Sequence, residues 1–206
     1  MIIEAISVGP MQANCYVLAE GTHQKAIVID PGDEARKIKK LLAKSFLEAA
    51  FIINTHGHYD HIGADNEFSV PVFAHRDDVV FLQNPHVNLS GVFALPFRVT
   101  ATIEPLTDKQ IITLGMIQLE VLHIPGHTPG GIALLMKQPH NNVVFTGDTL
   151  FYQGIGRSDL PGGDGDVLIK GIREKLLCLS DGTVVYPGHG VSTTIGDEKR
   201  HNEFLR

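Results

Sequence analysis

The chain has 206 residues, 43% of them hydrophobic and 19% charged, the composition of an ordinary globular protein with no disordered tail expected. Its net charge of −6 and the lack of any basic cluster argue against nucleic acid as a partner. No apolar run approaches a bilayer span, and Glu4 interrupts an N-terminus that lacks a signal peptide's basic residues, so no membrane partner and a cytoplasmic location are expected.

In chain order, residues 14–30, "NCYVLAEGTHQKAIVID", read as two strands around a glycine-containing turn. Residues 33–47 predict an amphipathic helix, with Ile38, Leu42 and Phe46 on one face and Lys37, Lys40 and Lys44 on another. Asp33 and Glu34 stand where its macrodipole favours anions. "AAFIIN" is a buried strand that runs into "NTHGHYDHIG", residues 54–63. Residues 84–105 have no clear period and read equally as a functional loop or a surface excursion with irregular strand.

The second half repeats this order. Residues 131–148 form a predicted hairpin ending in an aspartate, and residues 166–179 a helix with Leu168, Ile172 and Leu176 aligned. Residues 183–190 form a strand ending in a histidine. Both halves read hairpin, Asp, helix, strand, His, placing Asp30 opposite Asp148 and His56 opposite His189. The pattern implies a single α/β domain over residues 1–206, built of two similar layers whose strand-end loops meet at one rim. Cys15 and Cys178 are too few for a disulfide scaffold, and both sit in apolar runs that predict buried thiols.

The block His56-x-His58-x-Asp60-His61 carries metal-ligand chemistry. In extended chain His56 and His58 point the same way, and a helical turn at Asp60 swings Asp60 and His61 to a second point nearby. Three further donors sit in glycine- and proline-flanked turns at strand ends: His127 in "PGHTPGG", Asp148 in "TGDTLF" and His189 in "YPGHG". Five imidazoles and two carboxylates suffice for a dinuclear site with three donors per metal and one shared carboxylate. His23, His75, His86, His123, His140 and His201 have no motif context and read as surface or core residues.

The series "THGHYDH", "PGHTPGG", "GDTLF" and "PGHG" resembles the metallo-β-lactamase superfamily, and within it the short, glyoxalase II-like hydrolases. The likeness implies an αβ/βα sandwich with two pseudo-duplicated halves and the metals on one rim. It further implies that His56, His58 and His127 hold one divalent metal, that Asp60, His61 and His189 hold the other, and that Asp148 bridges. Zinc stands first, with iron and manganese accepting the same donors. Asp60 and Asp148 are counted as catalytic as well as metal-ligating.

The implied reaction is hydrolysis of a small acyl thioester such as S-lactoylglutathione by hydroxide formed at the metals. Arg157 matches the family's basic residue after "GxG", and either grips a substrate carboxylate or pairs with Asp159 or Asp164. Glyoxalase II proper has a C-terminal glutathione-binding extension, so weak saturation with glutathione esters is expected from a sequence that stops at Arg206. The β-lactamases are set aside because they carry cysteine at the position of Asp148. Alternatives are a mono-iron persulfide dioxygenase, a lactonase and, from another class, a non-catalytic zinc-binding module. Structural zinc sites are usually closed and cysteine-rich, whereas this set is all histidine and aspartate.

Overall fold

The computed structural model describes residues 1–93, 95–140 and 142–206. Ala94, within the 84–105 stretch, and Asn141, within the second expected hairpin, lie outside the described residues.

Two six-stranded sheets face each other. The first holds β1 (Ile2–Val8), β2 (Ala13–Ala19), β3 (Lys25–Ile29), β4 (Glu48–Ile53), β5 (Val72–His75) and β6 (Ile103–Leu106), in that spatial order. The second is built from β7 (Ile111–Leu114), β8 (Ile117–His123), β9 (Ile132–Gln138) and β10 (Val143–Gly147). A two-stranded ribbon of β11 (Leu150–Phe151) and β12 (Gly154–Ile155) follows, before β13 (Val184–Pro187) and β14 (Thr193–Thr194) complete that sheet in the order β14-β13-β10-β9-β8-β7.

Strands β2, β3 and β10 are buried along nearly their whole length because each sheet is covered on both faces. Tyr16, Leu18, Ile27 and Ile29 of the first sheet meet Leu119, Leu134, Met136 and Phe145 of the second in the central core. The residues between them, such as Val17, Ala26 and Val28, turn outward under α1 (Ala35–Lys44). On the other side, Ala133, Leu135 and Val144 turn outward under the helix that begins at Gly165. The layers therefore read helix, sheet, sheet, helix, the expected αβ/βα sandwich.

The two halves share their connectivity. The antiparallel hairpin β2–β3, then α1, then β4 parallel to β3 matches β9–β10, then the helix, then β13 parallel to β10. Parallel pairing puts the C-terminal ends of β3, β4, β10 and β13 on one rim, where Asp30, the His56 loop, Asp148 and His189 follow them.

Three expectations are corrected. Phe46 is not on the buried face of α1. The helix ends at Lys44, Phe46 takes a left-handed φ of 55°, and its ring stacks on His23 at 4.4 Å instead. The second helix keeps Leu168, Ile172 and Leu176 buried, but is α-helical only over Gly165–Gly171 and widens to a π turn over Ile172–Leu176. Cys15 is buried as expected, whereas Cys178 is exposed.

Candidate metal centre

β4 ends at Ile53, and the chain bends at residues 55–56 before a single helical turn, Tyr59–Ile62. His58 is the extended residue that caps this turn, with φ −72° and ψ 147°. His58 projects from extended backbone while Asp60 and His61 project from the turn, as expected of the block; at His56 the expected extended run is broken by a bend over residues 55–56. The turn lies tightly against the chain after β3, where a Cβ on Gly32 would fall on the Asp60 carbonyl oxygen. Gly188 is equally constrained, because a Cβ there would overlap Asp148 Oδ1 and crowd the His61 ring.

All seven predicted donors converge. One donor atom from each of His56, His58 and His127 lies within 4.8 Å of the others, and the same holds for Asp60, His61 and His189. Asp148 joins both groups, with Oδ1 3.3 Å from His61 Nε2 and Oδ2 3.6 Å from both His127 Nε2 and His189 Nε2. Further donor separations are 2.9 Å for His58 Nδ1 to His127 Nε2, 3.2 Å for His61 Nε2 to His189 Nε2, and 3.2 Å for His189 Nε2 to Asp60 Oδ2. Ligand bonds of about 2.0–2.1 Å give a tetrahedral edge of about 3.3 Å, so these spacings fit donors sharing a cation. His56 Nε2 and Asp148 Oδ1 are buried without a hydrogen-bond partner, a costly arrangement unless something else satisfies them. The donor set fits a pair of divalent metals on this geometry.

The far nitrogens of four rings are anchored, which aims the near ones inward. His127 Nδ1 lies 2.7 Å from the Arg157 carbonyl oxygen, and His189 Nδ1 lies 3.1 Å from that of Met11. His56 Nδ1 meets Thr55 Oγ1 at 3.2 Å, and His61 Nδ1 meets Asp30 Oδ2 at 3.1 Å. Asp30 also accepts from Thr55 N at 2.7 Å and Thr55 Oγ1 at 2.6 Å. The two aspartates equated by the internal duplication, Asp30 and Asp148, thus face opposite nitrogens of one imidazole.

Asp78 has a comparable role that sequence reasoning missed. Its buried carboxylate accepts from Gly57 N at 2.9 Å, Thr128 Oγ1 at 2.7 Å and Gly130 N at 2.6 Å. It thereby ties the loop of His56 and His58 to the loop of His127.

The electrostatics separate the two triads. Burial holds His56 well below its ordinary pKa, and burial with the neighbouring His127 brings His58 down to about 3. Both imidazoles are neutral and ready to ligate without losing a proton. Burial opposes charge on His61, yet Asp148 and Asp60 outweigh it and raise that ring well above the usual value. His189 is raised in the same way, burial being overcome by Asp60 and Asp148. Asp148 is correspondingly held well below the carboxylate range, its burial outweighed by His61. The second triad favours positive charge.

A cavity of about 590 Å³ opens over the cluster, walled by Met11, Leu89, Phe93, Phe151, Ile155 and Leu160. Arg157 lines it too, but Nε and Nη2 each bond a different oxygen of Asp159 at 2.7 Å. The ion pair weighed from the sequence is thus formed. His123 stands apart, stacked on His75 at 3.8 Å with 14° between the rings. With Asp77 these form another group of close donors. Near-parallel rings cannot both direct an in-plane lone pair at one ion, so this group does not fit a metal.

Known proteins share this architecture. Hydroxyacylglutathione hydrolase GloC of Haemophilus influenzae is 38% identical over 212 residues, covering 100% of this chain and 98% of the relative. The crystal structure of BLEG-1 B3 metallo-beta-lactamase superposes with a TM-score of 0.92 at 38% identity, covering 99% of each chain. That of TTHA1623 in a di-iron-bound form gives 0.82 at 36% identity, covering 98% of this chain and 100% of the other. The sequence profile of the metallo-beta-lactamase superfamily matches residues 8–189, from the end of β1 to the last donor of the cluster, and this chain belongs to that superfamily.

Proposed function

We propose that this protein is a dinuclear metal-dependent hydrolase that cleaves a small acyl thioester of the S-lactoylglutathione type. One observation carries the reading: seven donors converge beneath an open cavity that five of them line, and no acid among the described lining residues is free to protonate a poor leaving group. Of the described groups lining the cavity, the Tyr59 hydroxyl is 3.0 Å from Met11 Sδ, and Arg157 is held by Asp159. Asp60 and Asp148 belong to the donor set, and both carboxyls are held below their usual range, burial being outweighed by His61 in each. A thiolate, with a pKa of about 8.5, leaves without a proton; an amide nitrogen needs one.

His56, His58 and His127 would hold one cation, Asp60, His61 and His189 the other, with Asp148 shared. When bound, such a pair lowers the pKa of a water toward neutrality and polarises the acyl oxygen. Zinc is the first choice for this donor set, with iron and manganese accepting it. Asp148 spans the two triads and sets their separation. The anchored far nitrogens of His56, His61, His127 and His189 favour the tautomer of each that leaves its inward nitrogen free to ligate. The apolar walls exclude water from around the acyl group and strengthen the local field. Arg157 is placed to contact a substrate carboxylate in exchange for Asp159. The cavity also separates the site from a structural zinc module, which has no use for an open face.

β-Lactam hydrolysis is a second reading, favoured by the 38% identity to BLEG-1 B3 metallo-beta-lactamase. Against it, no described residue lining the cavity is free to protonate the amine. Protein loaded with zinc, iron or manganese should release free thiol from S-lactoylglutathione faster than it opens a chromogenic cephalosporin. Oxygen uptake with glutathione persulfide, without thiol release from thioesters, would overturn the hydrolase reading in favour of the dioxygenase.

A further inference from the structure

Beside the metal cavity lies a second cleft of about 380 Å³, whose apolar lining is Val8, Pro10, Met11, Leu95 and Phe97. The two spaces share Met11, Tyr59 and Asp60, so they adjoin on the side of the second triad. The contact of 3.0 Å between the Tyr59 hydroxyl and Met11 Sδ lies at this shared boundary.

The 84–105 excursion forms a wall of both spaces. Leu89 and Phe93 face the metal cavity, while Leu95 and Phe97 face the cleft. Buried polar side chains pin it. Asn88 Nδ2 donates to the Phe97 carbonyl oxygen at 3.0 Å, Phe97 N donates to Ser90 Oγ at 2.9 Å, and Tyr59 N donates to the Asn88 carbonyl oxygen at 2.9 Å. Leu95 is nonetheless 87% exposed and Met11 49% exposed, leaving large apolar side chains open to water at the cleft.

Charge narrows the occupant. The cleft's ionisable lining comprises Asp33, Tyr59 and Asp60, with no lysine or arginine among the described lining residues. The one arginine or lysine among the metal cavity's described lining residues, Arg157, has two guanidinium nitrogens on Asp159. An anionic arm would meet carboxylates here; an unbranched apolar arm would cover Leu95 and Met11.

We propose that this cleft binds an apolar chain of the thioester, so that the substrate lies across Tyr59 and Met11 with its carbonyl over the seven donors. This deepens the thioester reading and rests on it. The preferred substrate is then a thioester with a medium-length alkyl or acyl arm that carries no charge within the cleft, any carboxylate lying on the Arg157 side of the metal cavity.

Binding of S-alkyl-N-acetylcysteamine thioethers, which cannot be hydrolysed, tests the cleft apart from turnover. Calorimetry on metal-loaded and metal-free protein should show the S-octyl compound binding at least about tenfold more tightly than S-propyl, because each fully buried methylene is worth about fourfold. Leu95→Asp should abolish that dependence while metal content and Tm stay at wild-type values. Equal affinities along the series, a length dependence that survives Leu95→Asp, or tighter binding of S-methylglutathione than of S-octyl would overturn the proposal. Two turnover series, one lengthened in the acyl part and one in the thiol part, identify which arm enters by the series in which kcat/KM rises. Thioester cleavage with no length dependence in either series refutes the cleft and leaves the hydrolase reading intact. Length-dependent thioether binding with no thioester cleaved refutes the hydrolase reading and leaves the cleft.

Discussion

Asp30 lies outside the seven donors, yet Asp30→Asn is expected to weaken metal binding through one imidazole. Its Oδ1 accepts from Thr55 N at 2.7 Å, while Oδ2 faces Thr55 Oγ1 at 2.6 Å and His61 Nδ1 at 3.1 Å. An asparagine keeps the backbone bond by placing its own oxygen at the first position, which puts the NH₂ against His61 Nδ1. That nitrogen must then accept, so the ring proton moves to Nε2, the atom 3.2 Å from His189 Nε2 and 3.3 Å from Asp148 Oδ1. A protonated Nε2 cannot ligate. Losing such an orienting partner weakens metal affinity by about 10–100-fold, or roughly 1.4–2.8 kcal/mol. The buried bonds to Thr55 add a stability loss of about 1–3 kcal/mol. Chelator competition with one and then two metal equivalents resolves the sites, and a melting curve reads stability. The site holding His61 should weaken more than the one holding His56, His58 and His127. A variant that loses stability but keeps both affinities within about twofold would refute the tautomer argument.

Asp148→Asn should lower affinity at both sites and remove most activity, because one carboxylate faces rings of both triads; His123→Asn, at the stacked pair, should leave metal content unchanged. The reverse outcome in a metal analysis would mean that the rim is misassigned. Arg157→Ala should raise KM for a carboxylate-bearing thioester more than it lowers kcat, since such a contact serves substrate and transition state alike. Asp65→Asn gives a pH signature. Burial raises the Asp65 carboxyl well above its usual value, and Asp65 Oδ2 and Asn54 Oδ1 are buried without partners. The folded state therefore holds this proton more tightly than the unfolded chain. That stabilisation is complete below about pH 4 and is lost as pH rises through the folded pKa. The neutral amide should raise Tm by a few degrees at about pH 8 and change little at about pH 4; a lower Tm at the higher pH contradicts this.

The cluster was legible because its first four donors are local. The spacing of His56, His58, Asp60 and His61 already specifies extended chain followed by a turn, and glycines around His127, Asp148 and His189 mark strand-end turns. The repeated order of hairpin, helix and strand was enough to expect facing layers with a common rim. What stayed hidden depends on contacts distant in sequence. Asp78 reaches Gly130 across 52 positions, and nothing in "RDDV" separates it from an ordinary charged turn. Asp30 was noticed as the counterpart of Asp148, but its grip on His61 needed the fold. Phe46 followed the helical period of Ile38 and Leu42, yet the helix stops two residues short of it. The 84–105 stretch lacks a period because its residues serve two different spaces, Leu89 and Phe93 one and Leu95 and Phe97 the other.

The central claim is tested most directly by adding zinc to metal-free protein in measured equivalents while following thiol release from S-lactoylglutathione and from a neutral N-acetylcysteamine thioester. Two ions held by seven donors predict that turnover climbs through the second equivalent and levels there, with His189→Asn levelling at one equivalent and low activity. Turnover complete at one equivalent with His189 dispensable, or no thiol released from either ester at two, would contradict it.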